Sequence, residues 1–127
     1  MEANKLDRKN VYITGKIPSV GKKLLEENFY VEENRKNRHL TKNELIDIVK
    51  DKNALITNSS DIIDKEVIDA SDNLQVIANY GDENDNIDID AANKREIIVS
   101  NVSETKDIMA ETIANNVINV LNGNSPR

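Results

Sequence analysis

Gln75-Val-Ile-Ala-Asn79 is an unbroken, mostly apolar run of strand length, closed by Tyr80-Gly81. It is separated from a second such run, Ile97-Ile-Val-Ser100, by a segment in which Asp88 can cap a short helix around Ala91 and Ala92. A strand that is apolar at successive positions is covered on both faces, and a helix between two such strands implies a parallel pair. The same unit repeats upstream. Ala54-Leu-Ile-Thr57 is followed by the exit loop Asn58 to Ile63 and a helix from its cap Asp64 through Ala70, with Val67 and Ile68 facing the sheet. Phe29-Tyr-Val-Glu32 is followed by a polar loop from Glu33 to Leu40 and then by Thr41-Lys-Asn-Glu44, a capping box whose helix turns Leu45, Ile48 and Val49 inward. Val11-Tyr-Ile-Thr14, closed by Gly15 and Pro18, leads into a helix from about Val20 to Glu27 with Val20, Leu24 and Leu25 on one face. A last helix, about Glu104 to Leu121, puts Met109, Ile113, Val117, Val120 and Leu121 on one stripe, with Gly123 at its C-terminus. Strict alternation of five strands and five helices predicts an α/β, flavodoxin-like three-layer sandwich around a five-stranded parallel sheet of order 2-1-3-4-5.

Length and composition bound the rest. With 127 residues, the chain (1–127) reads as a single domain preceded by a polar leader over 1–10 that lacks the apolar stretch of a signal peptide. Phe29, Tyr12, Tyr30 and Tyr80 are the only aromatics, so the core is aliphatic. The net charge of −6 disfavours phosphate backbones and anionic lipid, so neither nucleic acid nor membrane is an expected partner. Without cysteine there is no disulfide, thiolate nucleophile or cysteine zinc site. No apolar run approaches the ~20 residues that span a bilayer, and a cytoplasmic location is expected. Asparagine occurs 19 times, as an AT-rich genome or a sequence chosen by calculation would give.

Several motifs resolve into ordinary structure. Gly15 to Lys23 has five residues between its glycines, and Lys23 stands where a phosphate-binding loop carries a hydroxyl, so a plain turn is favoured. His39 is the only histidine, in a charged loop with Arg35 and Arg38, and reads as an exposed loop residue rather than a base. Asp82, Glu83, Asp85, Asp88 and Asp90 lack the alternation and mid-loop glycine of a calcium loop. Asn58-Ser-Ser60 and Asn101-Val-Ser103 match the glycosylation pattern without a secretory signal to make it relevant. A receiver domain of this topology needs an acidic cluster, an aspartate and a lysine after strands one, three and five; Thr14-Gly15, Thr57-Asn58 and Ser100-Asn101 stand there instead.

Taken together, Val11-Tyr-Ile-Thr-Gly-Lys-Ile-Pro18, Asp51 to Asp64, Leu74-Gln-Val-Ile-Ala-Asn-Tyr-Gly81 with Asp85-Asn-Ile-Asp88, and Ile97 to Asn101 resemble the D-2-hydroxyacid dehydrogenases, the family of glyoxylate reductases and phosphoglycerate dehydrogenases. The resemblance implies the family's substrate-binding (catalytic) domain, into which a separate nucleotide-binding domain is inserted. Glu104-Thr-Lys-Asp107, Met109-Ala-Glu111, Asn116 and Val120-Leu-Asn-Gly123 resemble the helix that returns from that insertion. Residues 11–102 therefore resemble the family's N-terminal segment and 103–127 its C-terminal helix, joined near Val102-Ser103.

The departures shape the functional expectation. The family's substrate loop usually reads Gly-Val-Gly-Tyr, with backbone amides holding the substrate carboxylate; here Gly81, Asp82, Glu83 and Asn84 stand there, and the Glu83 charge repels a carboxylate. By resemblance, Ser59, Ser60, Tyr80, Gly81, Asp82 and Glu83 are vestigial substrate-loop positions. No residue matches the family's catalytic arginine, glutamate and histidine, and Gly15, Gly21, Gly81 and Gly123 cannot form a G-x-G-x-x-G fingerprint. These features lead to the expectation of an engineered or computationally redesigned monomeric domain with no catalytic residue, no cofactor and no metal. The alternative is a natural fragment or remnant of a D-2-hydroxyacid dehydrogenase that binds a small 2-hydroxy or 2-oxo acid.

Overall fold

Nine elements follow one another in strict alternation: β1 (Asn10–Ile13), α1 (Ser19–Glu26), β2 (Tyr30–Glu33), α2 (Lys42–Val49), β3 (Ala54–Asn58), α3 (Lys65–Ala70), β4 (Val76–Tyr80), α4 (Ile89–Lys94) and β5 (Ile98–Val102). The computed structural model describes residues 9–15, 17, 19–80, 85–102 and 115–121. The 1–8 leader, Pro18, the loop residues Gly81, Asp82 and Glu83, Gly123, and the first part of the last helix with Met109 and Ile113 lie outside the described residues. Residues 115–121 are helical and are termed α5.

The sheet is parallel throughout, in the order β2-β1-β3-β4-β5, as the alternation of elements predicts. Its register is continuous: Tyr12 pairs with Leu55, Leu55 with Ile77, and Ile77 with Val99. Side chains alternate across the sheet, which divides the core in two. Val11, Ile13, Ala54, Ile56, Val76 and Ala78 face α1 and α5, meeting Leu25, Val117, Val120 and Leu121. Tyr12, Leu55 and Ile77 face the other way, onto Leu45 and Val49 of α2, Val67 and Ile68 of α3, and Ala91 and Ala92 of α4.

The helices begin where the predicted caps stand. Thr41 Oγ1 accepts from the Glu44 amide at 3.2 Å while Glu44 Oε1 accepts from the Thr41 amide at 2.8 Å, closing the capping box. Asp64 accepts from the Val67 amide at 3.2 Å and Asp88 from the Ala91 amide at 3.0 Å. One inward assignment is corrected. Val20 is 41% exposed, because α1 turns Gly21 and Leu25 to the sheet. A glycine on the buried stripe lets the helix approach closely and rotates its neighbour outward. No helix among the described residues is long and apolar enough to cross a membrane.

Candidate functional site

Where strand order reverses in a doubly wound sheet, the loops on either side of the switch diverge and leave a crevice beyond the carboxyl ends of the strands. Here the switch lies between β1 and β3. The chain leaves β1 through Thr14 and Gly15 and leaves β3 through Asn58. A Cβ on Gly15 would stand 3.1 Å from Asn58 Nδ2, so a side chain there would press on the facing loop. The Thr14 hydroxyl hydrogen-bonds to the Asp61 carboxylate, whose Oδ2 also accepts from the Asn58 amide at 3.0 Å. Asp61 is only 3% exposed and is held entirely within this corner.

The loops leaving β3 and β4 are tied together by asparagines. Thr57 Oγ1 donates to Asn79 Oδ1 at 2.8 Å, and Asn79 Nδ2 donates to Asn86 Oδ1 at 3.2 Å. Asn86 Nδ2 reaches the Asn58 and Asp61 carbonyls at 3.0 and 2.8 Å. Backbone bonds from Ile63 N to Asn86 O and from Asp88 N to Ile63 O, both 2.9 Å, complete the seam. This frame fixes Asn79 and Asn86 against the exit of β3.

Of the substrate-loop positions, Ser59 and Ser60 lie exposed on the turn after β3, with the Ser60 amide donating to Asn58 Oδ1 at 2.9 Å. Tyr80 ends β4, and its ring lines a small cavity of about 30 Å³ together with Thr14, Gly15 and Asn58. Its hydroxyl is buried with no hydrogen-bond partner among the described residues, and burial pushes its pKa up to about 12. A buried phenol of this kind stays protonated and can donate. The structure thus brings Tyr80, Thr14, Gly15 and Asn58 together at one edge, with Ser59 and Ser60 on the adjoining turn. No group of three or more metal-ligating side chains occurs among the described residues.

Sequence reasoning passed over two parts of this edge. The first is the asparagine seam, for which no local motif exists because its partners come from different loops. The second is the loop between β2 and α2. His39 is exposed as expected, yet it lines a cleft of about 280 Å³ with Lys36, Arg38, Thr14, Gly15 and Asn58. The signal was the basic cluster of residues 35–39 directly after a strand.

A parallel sheet of order β2-β1-β3-β4-β5 with helices on both faces and polar side chains at its carboxyl edge defines a doubly wound α/β domain of the flavodoxin-like class. The chain belongs to the D-2-hydroxyacid dehydrogenases: residues 11–108 match the family described as D-isomer specific 2-hydroxyacid dehydrogenase, catalytic domain. A protein of Staphylococcus aureus named as a 2-hydroxyacid dehydrogenase is 47% identical over 91 residues, covering 72% of this chain and 29% of that protein. A crystal structure from Thermus thermophilus shares 36% identity at a TM-score of 0.65, covering 71% of this chain and 29% of the other. One from Pyrococcus horikoshii shares 27% identity at a TM-score of 0.70, covering 76% and 28%. The chain thus spans less than a third of the length of these relatives.

These findings overturn the expectation of an engineered or redesigned domain and favour a natural segment of a 2-hydroxyacid dehydrogenase. Identity of 47% to a bacterial protein over 91 residues is what common descent leaves.

Proposed function

We propose that this chain is the acid-binding part of a 2-hydroxyacid dehydrogenase. It holds a small 2-hydroxy or 2-oxo acid at the loops leaving β3 and β4, and the reaction draws its hydride chemistry from a nicotinamide cofactor held by the family's nucleotide-binding domain. The observation that carries this reading is the family match over 11–108, which encloses the whole carboxyl edge. The Tyr80 hydroxyl at that edge, which has no hydrogen-bond partner among the described residues, adds support, since a ligand oxygen would satisfy it. A dinucleotide does not fit the β1/β3 crevice. No glycine-rich turn follows β1 to cradle a pyrophosphate. Acid binding and orientation therefore belong to this chain, and it does not transfer hydride alone.

Asp82 and Glu83 add negative charge to the sequence after β4, so affinity for a carboxylate is expected to be weak, with Kd of about 1 mM or above. Titration of the chain with pyruvate, followed by amide chemical shifts, should move Ser59, Ser60, Asn79 and Tyr80 saturably. Glu83→Gly should tighten binding by about tenfold through loss of like charge and closer backbone approach. NADH added with pyruvate should not be oxidised. Silence at all four amides in both proteins would overturn the reading.

A further inference from the structure

Among the described residues, Asn58 is the only asparagine followed by glycine or serine, and it stands where β3 turns out of the sheet. A small next residue leaves its backbone nitrogen open to attack on the asparagine side chain. The turn arranges that attack. The Ser60 amide donates to Asn58 Oδ1 at 2.9 Å, closing an Asx turn that folds the carboxamide back over the intervening Ser59 amide. Ser59 and Ser60 are exposed, and among the described residues nothing accepts a hydrogen bond from the Ser59 amide. Both ends of the turn are held. The Asn58 amide donates to Asp61 Oδ2 and the Asp61 amide donates to the Asn58 carbonyl, each at 3.0 Å. On its other side the carboxamide nitrogen faces Gly15, where a Cβ would stand only 3.1 Å away, and both residues border the open cleft.

We propose that Asn58 is a self-modification site, at which the chain converts its own carboxamide to a carboxylate through a cyclic imide. The Ser59 backbone nitrogen gives up its proton and bonds to Asn58 Cγ. Negative charge develops on Oδ1, where the Ser60 amide already donates and stabilises it. The Cγ–Nδ2 bond then breaks, and ammonia leaves with the added proton through the cleft that Gly15 keeps open. Water opens the imide at either carbonyl. Opening at Cγ gives aspartate in an unchanged backbone. Opening at the other carbonyl gives isoaspartate, in which the main chain runs through Cγ and the former Asn58 carbonyl becomes a free carboxylate. That carbonyl accepts from Asn86 Nδ2 and from the Asp61 amide, both at 3.0 Å, so isoaspartate formation unties the β4 loop from the β3 exit. The turn is a slow, one-way release of the carboxyl edge. The inference stands independently of the acid-binding reading.

Incubation of the 127-residue chain at mildly alkaline pH, folded in buffer and unfolded in urea, tests it. Peptide mapping by mass spectrometry reads the amide-to-acid mass gain at each asparagine, and chromatography separates aspartate from isoaspartate. Asn122-Gly123, whose glycine leaves the attacking nitrogen unhindered, is the internal clock. Asn58 should convert ahead of every other asparagine of the described residues, about tenfold faster folded than in urea, because the Ser60 donor is in place only in the folded turn. Ser60→Pro removes that donor and should bring the folded rate down to the urea rate. Ser59→Ile crowds the attacking nitrogen at an exposed position and should nearly stop conversion. In the converted fraction the Asn86 side-chain amide signals should shift, and they should stay in place in Ser59→Ile. An Asn58 that keeps its carboxamide while Asn122 converts overturns the proposal, and so does a folded rate equal to or below the rate in urea.

Discussion

Asn86 donates its side-chain amide to the backbone carbonyl of Asp61 at 2.8 Å, joining the loop after β4 to the loop after β3. The same Nδ2 lies 3.0 Å from the Asn58 carbonyl and 3.3 Å from Asn79 Oδ1. One side chain therefore fixes three points of the carboxyl edge. Asn86→Ala should destabilise the chain by about 1–3 kcal/mol, because it takes a donor away from the partly buried Asn58 and Asp61 carbonyls and an acceptor away from the buried Asn79 amide. Chemical denaturation measures this, and the same variant should broaden the amide signals of residues 58–63. A loss below about 0.5 kcal/mol would mean that water replaces the latch without cost.

Tyr80→Phe separates stability from binding. Removing a buried hydroxyl that has no partner among the described residues should leave stability unchanged or raise it by up to about 1 kcal/mol. Pyruvate binding should weaken by about fivefold if the hydroxyl meets the ligand. The folded-state pKa of about 12 lies above the ordinary tyrosine value, so stability linked to this group is full below pH 10 and lost as pH rises toward 12. The phenylalanine variant should lack that part of the alkaline loss in thermal melts.

Glu44 serves Arg38 and the Thr41 cap at once. Its hydrogen bond from the Arg38 side chain, and then that from the Thr41 backbone, hold its carboxyl far below the ordinary glutamate value. A carboxylate with a depressed folded pKa contributes stability that is present above its unfolded value and lost as pH falls toward the folded one. The Tm difference between the parent chain and Glu44→Gln should therefore be largest near neutral pH and shrink steadily below about pH 4.5. A pH-independent difference would assign the effect to packing.

Glu96 joins α4 to β5 with φ of 59°, the left-handed region. Its amide reaches the Asn93 carbonyl at 3.1 Å and the Ile97 amide reaches Ala92 at 2.9 Å, an arrangement that ends a helix and normally carries glycine. Glu96→Gly should raise stability by up to about 1 kcal/mol, and Glu96→Ala should not. Equal effects of the two would show that charge rather than backbone conformation governs the position.

Much of this architecture was legible locally. Thr41, Asp64 and Asp88 announced helix starts because a cap is a three-residue interaction, and the apolar runs at 54–57 and 75–79 announced strands covered on both faces. Val20 was misread because Gly21 has no side chain with which to mark the buried stripe. The site was less legible. Asn58 and Asn86 are 28 residues apart and meet only through the register of β3 and β4. Likewise, the cluster from Lys36 to His39 becomes a cleft wall only because β2 lies beside β1, whose exit holds Thr14 and Gly15.

The last helical segment carries the remaining prediction. Val117 of α5 is fully buried, and with Val120 and Leu121 it joins Leu25 and Phe29 in the cluster under one face of the sheet. If 115–121 closes that face, its removal from the apolar seam has to be felt by the whole domain. Val117→Asp places an unpaired carboxylate there and should cost at least about 3 kcal/mol, a large share of the roughly 5–15 kcal/mol of an ordinary domain. Val117→Ala removes only methyl groups and should cost about 1–2 kcal/mol. Thermal melts of both variants give the comparison. The aspartate should lower Tm far more than the alanine and expose apolar surface to a hydrophobic dye. Two variants melting within a few degrees of the parent would mean that α5 is not part of the cooperative core.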